Sequence, residues 1–133
     1  MSRSANTELR RFLKRYPETG GIELLIADVN GVLRGEQIQK REFGKCFESG
    51  FAMPGGTVLL DTLGDIVEGI GWSDEDGDPD LPALTVPGSL APVPWARKPT
   101  AQALFRFMDG NGRGFVGDPR TVLENAVSKV SSR

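Results

Sequence analysis

The sequence contains no histidine and only one cysteine, Cys46. A Ser-His-Asp or Cys-His nucleophilic site therefore cannot be built within this chain, and neither can a zinc site made from histidines or several thiolates. One cysteine also excludes a disulfide within the chain, which fits a reducing compartment. The groups left for chemistry are carboxylates, Lys, Arg and backbone amides.

Long apolar runs and an excess of positive charge are also missing. No stretch approaches the roughly 20 apolar residues of a membrane-spanning helix, and residues 1–17 contain no apolar segment of the signal-peptide kind. The formal net charge is −2 and the pI is about 5.2, whereas nucleic-acid-binding domains usually present a basic face. We therefore expect a cytoplasmic protein that binds neither a membrane nor a nucleic acid.

The composition is that of one small globular domain rich in turns. The 133 residues include 17 Gly and 9 Pro, with 38% hydrophobic and 26% charged residues. Such frequent turn residues favour a mixed α+β fold with long connections over a helical bundle.

Helical patterns occur near both ends of the chain. Thr7–Tyr16 is amphipathic, with Asn6 or Thr7 as the expected N-cap. Asp118-Pro119 is a good helix start, because Asp caps well and Pro suits the first helical position. The apolar stripe expected for this last helix consists of Val122, Leu123, Ala126, Val127 and Val130.

A third helix is predicted for Lys40–Ser49, where Phe43, Cys46 and Phe47 share one face and Gly50 follows as a stop. Because a free cysteine on such a face usually behaves as a small apolar side chain, we expect Cys46 to lie in the core.

Two strands, Ile22–Val29 and Val32–Ile38, flank Asn30-Gly31. Asn-Gly favours a type I′ turn with both residues at positive φ, which predicts a β-hairpin. Ala101–Met108 is the next convincing strand, followed by a turn at Asp109–Gly112. The connection over residues 51–95 is dominated by Gly, Pro and Asp, and a loop this long is more often functional than idle.

An acidic cluster, Asp74–Asp80, lies within that connection. As a calcium-binding EF-hand loop it fails, because Pro79 takes the place of the required Gly and Thr85 that of the final Glu. Two interpretations remain, a solvated acidic loop or carboxylates that face a cationic substrate or partner.

The turn Met53–Thr57 also allows two interpretations. It either only connects its neighbours, or it reaches into a site with backbone N–H groups free to contact an anion. The alternating Gly110, Gly112 and Gly114 lack the spacing of a phosphate-binding loop, so a turn between strands is the better prediction.

Taken together, these segments resemble the N-terminal β-grasp domain of the glutamine synthetase family, and within it the γ-glutamylpolyamine (glutamate–polyamine) ligase branch. The strongest signals are V-P-G-S-L-A-P-V-P-W-A at residues 86–96 and D-P-R-x-V-L at 118–123. The matching stretches in full are ADVNGVLRGEQI, FGKCFESGFAMPGGTVLLDTLGD, GWSDEDGDPDLPALTVPGSLAPVPWARKPTAQAL and DPRTVLENAV.

The resemblance implies an α+β, β-grasp fold in the order helix, hairpin, helix, long loop, strands, helix. Residues 1–21 are then an N-terminal helix and linker, residues 22–117 the β-grasp domain, and residues 118–133 a helix leading towards a catalytic domain that is absent here. In this family a ligase activates the γ-carboxylate of glutamate with ATP, and ammonia or an amine then attacks.

The resemblance also implies where the cofactors and partners are. ATP, Mg or Mn, and glutamate bind a large C-terminal domain, so we expect no cofactor and no assigned catalytic residue on this chain alone. The N-terminal domain supplies an active-site loop to the catalytic domain of a neighbouring subunit in a homo-oligomer.

Residues 51–57 and Asp74–Asp80 correspond to that loop region. Ammonia-using members carry Phe-Asp-Gly-Ser-Ser here, and Pro54 stands where their Asp would be, which favours a larger amine. Asp80 is then the expected contact for the cationic amine, with Asp78 or Asp76 as substitutes. The residues expected to face the amine are Met53, Gly55, Gly56, Thr57, Trp72, Asp76, Asp78 and Asp80.

Three interpretations follow: a domain of a longer ligase, a stand-alone non-catalytic module that binds a protein partner, or an independent small enzyme. The lack of histidine and of a nucleotide motif argues against the third. A domain taken from an oligomeric ligase should expose an apolar interface, expected around Leu59, Leu60, Leu63 and Trp72.

Overall fold

The computed structural model describes residues 2–70 and 77–132, and for residues 2 and 3 it describes the backbone alone. The helices in these ranges are α1 (Ser2–Arg15), α2 (Phe43–Ser49) and α3 (Pro119–Ser131). The strands are β1 (Gly21–Ala27), β2 (Leu33–Gln39), β3 (Phe51–Pro54), β4 (Asp80–Thr85), β5 (Ala91–Pro92) and β6 (Thr100–Phe107). Short 3-10 turns occupy Lys40–Glu42 and Gly55–Leu59. No helix in these ranges is long and apolar enough to cross a membrane.

The strands form one mixed sheet in the order β2-β1-β6-β4-β3, and β5 pairs with β6 outside this path. β1 and β6 are parallel, with Gly21 opposite Thr100 and Leu25 opposite Leu104, whereas β5 and β6 are antiparallel. Every second residue of β6 from Ala101 to Phe107 is buried, as the period of a strand requires. The fold is therefore α+β.

The chain divides into two compact units, of which the first contains residues 1–25, 35–51 and 84–105. In this unit α1 packs on α2, and the rings of Phe47 and Phe51 meet the ring of Phe105 edge-on, with centroids 6.1 and 5.0 Å away. The carboxylate of Glu8 accepts hydrogen bonds from the N–H groups of Gly88 (3.0 Å) and Leu90 (3.1 Å).

The second unit contains residues 26–34, 52–83 and 106–133. Asp118, only 1% exposed, is the N-cap of α3, and its Oδ1 accepts a hydrogen bond from the N–H of Arg120 at 2.8 Å. Its Oδ2 accepts a second bond from the N–H of Phe107 at 2.6 Å. One buried carboxylate thus fixes the start of α3 to the end of β6, as the Asp-Pro signal predicts for the helix start.

Helix α1 begins at Ser2, before the predicted boundary, so Asn6 and Thr7 lie inside it and the predicted N-cap is wrong. The reason is that Ala5 is buried and extends the apolar stripe of Leu9 and Phe12 by one turn. The amphipathic character predicted for this helix is confirmed, since Arg10, Arg11, Lys14 and Arg15 are exposed whereas Leu9 and Phe12 are buried.

The β1–β2 hairpin is confirmed, but its predicted type I′ turn is wrong. Gly31 alone has positive φ (76°), and Asn30 does not. The N–H of Gly31 donates to the carbonyl of Asp28, and the N–H of Asp28 donates to the carbonyl of Val32. This is a three-residue loop in which a type I turn is followed by a left-handed Gly. The Asp28 carboxylate selects it by accepting two of the loop's N–H groups.

Residues 51–95 are more ordered than predicted, because they contain β3, β4, β5 and a 3-10 turn. Short strands interrupted by Pro are hard to distinguish from loop by pattern alone.

The apolar stripe predicted for α3 exists, but it is not buried within the described residues. Val122, Leu123, Val127 and Val130 are 54–75% exposed, and Thr121 is the residue of α3 that is buried.

Candidate functional site

The predicted turn Met53–Thr57, called the candidate loop below, spans the end of β3 and the start of the following 3-10 turn. Met53 and Thr57 are half-buried, Pro54 is exposed, and the two glycines are buried. A Cβ on Gly55 would lie 2.8 Å from Cδ1 of Leu81. The close approach of β4 therefore requires a residue without a side chain here.

Two backbone amides of the candidate loop, those of its glycines, are engaged within the chain. The N–H of Gly55 donates to the carbonyl of Pro79 at 3.2 Å, and the N–H of Gly56 donates to Oδ1 of Asp78 at 2.7 Å. The interpretation in which these two N–H groups are free for a bound anion is therefore wrong, because Asp78 and Pro79 already accept from them.

The two carboxylates predicted at the end of the acidic cluster differ in their surroundings. Asp78 is half-buried against the candidate loop and has left-handed backbone (φ 49°), whereas Asp80 is exposed at the first position of β4. The structure thus joins Asp78 to Gly56 and leaves Asp80 facing solvent. Trp72, Asp74 and Asp76 lie outside the described residues, so their predicted roles stay predictions.

An ion pair that sequence reasoning missed lies beside this region. Asp28 is 2% exposed, and its Oδ2 accepts a hydrogen bond from Nε of Arg34 at 2.8 Å. Burial by itself would raise the pKa of Asp28. The hydrogen bonds from Arg34, Val32 and Asn30 outweigh burial and hold the pKa below its ordinary value.

The loop that follows the candidate loop has the same form as the hairpin turn. In Asp61–Asp65 the Asp61 Oδ1 accepts from the N–H groups of Leu63 (2.8 Å) and Asp65 (2.9 Å), and Gly64 has positive φ. Asp109–Arg113 repeats this arrangement, with Gly112 at φ 74°. The missed signal is an Asp followed three residues later by Gly, which occurs in all three loops.

Cys46 is not a reactive group. Its side chain is buried, and burial, followed by the negative charges of Glu36 and Glu42, raises the pKa of the thiol to about 12. A thiol protonated at every physiological pH is a poor nucleophile and metal ligand. The prediction that Cys46 is a small core side chain is confirmed.

The possible metal-ligating side chains are dispersed in the described part of the chain. Within residues 2–70 and 77–132 no three Asp, Glu or Cys side chains lie close enough together to hold a metal ion. The Gly-rich stretch after β6 is the Asp109–Arg113 loop, whose ends are paired by the bridge between Met108 and Gly114. The prediction that it is a turn between paired segments is confirmed.

Comparisons with known proteins identify the relatives of this chain. It is 34% identical over 126 residues to gamma-glutamylputrescine synthetase PuuA of Escherichia coli K12, a match that covers 95% of the chain and 26% of that protein. The chain thus spans about a quarter of the length of its curated relative. No model of a protein family matches the sequence.

Solved structures show the same fold. The glutamine synthetase of Plasmodium falciparum superimposes with a TM-score of 0.69 at 16% identity, over 96% of this chain and 22% of that chain. The GmaS/ADP complex superimposes with a TM-score of 0.70 at 19% identity, over 99% of this chain and 26% of that chain. The chain is therefore a homologue of the N-terminal domain of glutamine synthetase-like ligases.

Proposed function

We propose that this chain is the N-terminal, β-grasp domain of an ATP-dependent glutamate–amine ligase and that it supplies one wall of the amine side of an active site. The observation that carries the proposal is the 34% identity to gamma-glutamylputrescine synthetase over 95% of the chain. Identity spread over the whole chain supports a shared role better than a shared fold does.

The residues around the candidate loop suit a cationic amine larger than ammonia. Pro54 is exposed at the end of β3, and Asp80 presents its side chain to solvent at the start of β4. A carboxylate within a few ångströms of an ammonium group attracts it, and the attraction strengthens when a closing partner domain excludes water. Asp80 is the proposed electrostatic contact, and Asp78 anchors the loop beside it.

The nucleotide, its Mg or Mn ion and glutamate are proposed to bind elsewhere in the ligase, because the described residues provide no metal-binding cluster. The partner of this domain is then the catalytic domain of another subunit in a homo-oligomer. The chain contributes binding and exclusion of water on the amine side, and the reacting groups lie on its partner.

The test uses the native polypeptide that carries this sequence, purified in its own assembly. We expect it to form a γ-glutamyl amide from glutamate, ATP and a diamine. In the Asp80→Asn variant the KM for the amine should rise about tenfold, since one charge contact is lost, while the KM values for ATP and glutamate should change less than about twofold.

Glu68→Gln is the matched control, because Glu68 is an exposed carboxylate of the same unit, and its amine KM should stay at the wild-type value. If the native protein forms no amide with any amine, the proposed function is refuted. If the wild type is active and Asp80→Asn leaves the amine KM unchanged, only the role of Asp80 is refuted.

A stand-alone module that binds a protein partner is the second candidate function. The exposed apolar side chains of α3 suit this function as well as the first, because a stand-alone module and a ligase domain would each cover such a surface with another protein. An antibody against this domain separates the two functions. A native polypeptide several times heavier than 14.4 kDa supports the ligase, and one of 14.4 kDa supports the module.

A further inference from the structure

The hairpin loop Asp28–Val32, together with Arg34, is joined to the backbone that follows the candidate loop. Three nitrogen atoms on the hairpin side donate to three carbonyl groups within four consecutive residues. The bonds are Val29 N–H to Val58 O (2.9 Å), Asn30 Nδ2 to Leu60 O (2.9 Å) and Arg34 Nη2 to Asp61 O (3.0 Å). These three bonds, called the hairpin junction, hold the backbone of residues 58–61 at three points.

Asp28 organises the donors of this junction. Its Oδ1 accepts from the N–H groups of Asn30 and Val32, both at 2.8 Å, and its Oδ2 accepts from Nε of Arg34 at 2.8 Å. The guanidinium of Arg34 thus has one nitrogen on a buried carboxylate and another on the Asp61 carbonyl. A lysine has a single nitrogen and cannot reproduce this two-sided geometry.

The candidate loop itself is also held by the two residues that precede β4. The N–H groups of Gly55 and Gly56 donate to Pro79 O and Asp78 Oδ1. Val58, the first of the residues held by the hairpin, also has a fully buried side chain. The position of the candidate loop therefore depends on the hairpin junction on one side and on residues 78–79 on the other.

We propose that Asp28 and Arg34 are positioning residues that fix the candidate loop for amine binding without touching the amine. This inference rests on the proposed ligase function. Groups that bind a substrate must be held to within a fraction of an ångström, and their supporting hydrogen bonds decide whether they are. Loosening residues 58–61 should therefore weaken binding of the amine selectively.

The test compares Arg34→Lys with a control on another ion pair of the same unit, Arg106→Lys, whose wild-type partner is Glu124 on α3. Hydrogen exchange of the native assembly measures how firmly the loop is held, and steady-state kinetics measure the effect on the KM for the amine. In Arg34→Lys, amide exchange across residues 55–65 should be about tenfold faster than in the wild type. The amine KM should rise about tenfold, with kcat and the KM values for ATP and glutamate within about twofold.

Arg106→Lys should change neither the exchange of residues 55–65 nor the amine KM. Asn30→Ala is the second variant, since it removes only the bond to Leu60 O from an exposed side chain and leaves the ion pair in place. It should shift exchange and amine KM in the same direction as Arg34→Lys, by a smaller factor.

The possible outcomes distinguish failure of the positioning role from failure of the ligase function. An active wild type whose exchange or amine KM is unchanged in Arg34→Lys and in Asn30→Ala overturns the positioning role and leaves the ligase function standing. A uniform rise of all three KM values also overturns it, because that indicates general loosening of the fold. A wild type that forms no amide overturns the ligase function and, with it, the positioning role.

Discussion

At the scale of single residues, two buried aspartates account for much of the local order. Asp28 satisfies two N–H groups and one guanidinium nitrogen, and Asp118 satisfies the N–H groups of Arg120 and Phe107. Both carboxylates are at most 2% exposed, so their charge is stabilised by the hydrogen bonds that they accept and not by water.

Because of Asp28, the free energy of unfolding should depend measurably on pH in the acid range. Its pKa in the folded chain lies below the ordinary value of 3.8, so the ionised form stabilises the fold above pH of about 4. This contribution is lost as the pH falls through the folded pKa. Asp28→Asn should lower the free energy of unfolding by about 2 kcal/mol at pH 7 and should flatten its decline below pH of about 4.

Urea denaturation at a series of pH values checks this, with Glu68→Gln as an exposed control that should keep the wild-type profile. An Asp28→Asn profile parallel to that of the wild type between neutral and acid pH would contradict the assigned hydrogen bonds.

Sequence reasoning identified Asp118 but missed Asp28, for a physical reason. Asp118 precedes Pro119, and Asp-Pro at the start of an apolar periodicity is a local signal for a helix N-cap. Asp28 stands before Asn30-Gly31, and the preference of Asn-Gly for type I′ turns led to the wrong turn type. The observed loop is instead closed by the side chain of Asp28. The pairing of Arg34 with Asp28 depends on the register of the two hairpin strands, which composition does not reveal.

At the scale of elements, one loop form recurs in the second unit. The loops starting at Asp28, Asp61 and Asp109 each close with a hydrogen bond from the Asp N–H to the carbonyl four residues on, and each has a glycine at positive φ. The glycine is required because a side chain at this φ is strained even where space is free.

Gly112 and Gly44 form a matched test of that requirement. Neither would meet another atom within 4 Å if a Cβ were added, but Gly112 has φ 74° whereas Gly44 lies in α2. Gly112→Ala should lower the free energy of unfolding by about 1 kcal/mol, and Gly44→Ala should raise it by up to about 1 kcal/mol. Equal effects of the two substitutions in thermal unfolding would show that the loop does not need its glycine.

The helices and the long strands were predictable, whereas the short strands were not. The 3.6-residue period of α2 and the two-residue period of β6 each come from burial of one face, so sequence spacing reveals them. β3 and β5 are short and contain Pro, so neither shows a clear two-residue period. Likewise the candidate loop was predicted as a turn from its residues and was assigned to the amine side by resemblance to a family, but the partners of its amides were found only from the structure.

At the scale of the whole molecule, apolar surface remains uncovered on the described residues. Leu63 is 85% exposed, as the predicted interface requires, and Leu59 and Leu60 are half-buried. Trp72 lies outside the described residues. The valines of α3 add a second exposed apolar surface that the prediction did not include.

The α3 surface should matter little for folding of this chain. Val127 is 54% exposed, whereas Val58 is fully buried. Val127→Ala should change the free energy of unfolding by less than about 0.5 kcal/mol, and Val58→Ala should lower it by about 2 kcal/mol through loss of packing. Both are measured by urea denaturation of the 133-residue chain. A cost at Val127 equal to that at Val58 would mean that α3 is covered within the chain itself.

The parallel pairing of β1 with β6 has a consequence for biosynthesis. On the edge of β1 opposite β2, Gly21–Leu25 pairs with Thr100–Leu104, so a ribosome must complete most of the domain before this pairing can form. Until then, the edge of β1 that β6 later covers is unpaired. The apolar side chains of Ile22, Leu24 and Ile26 also lack their final neighbours. Long-range pairing of this kind slows folding and exposes strands to aggregation. The nascent chain is therefore most vulnerable between emergence of its first strand and emergence of its last.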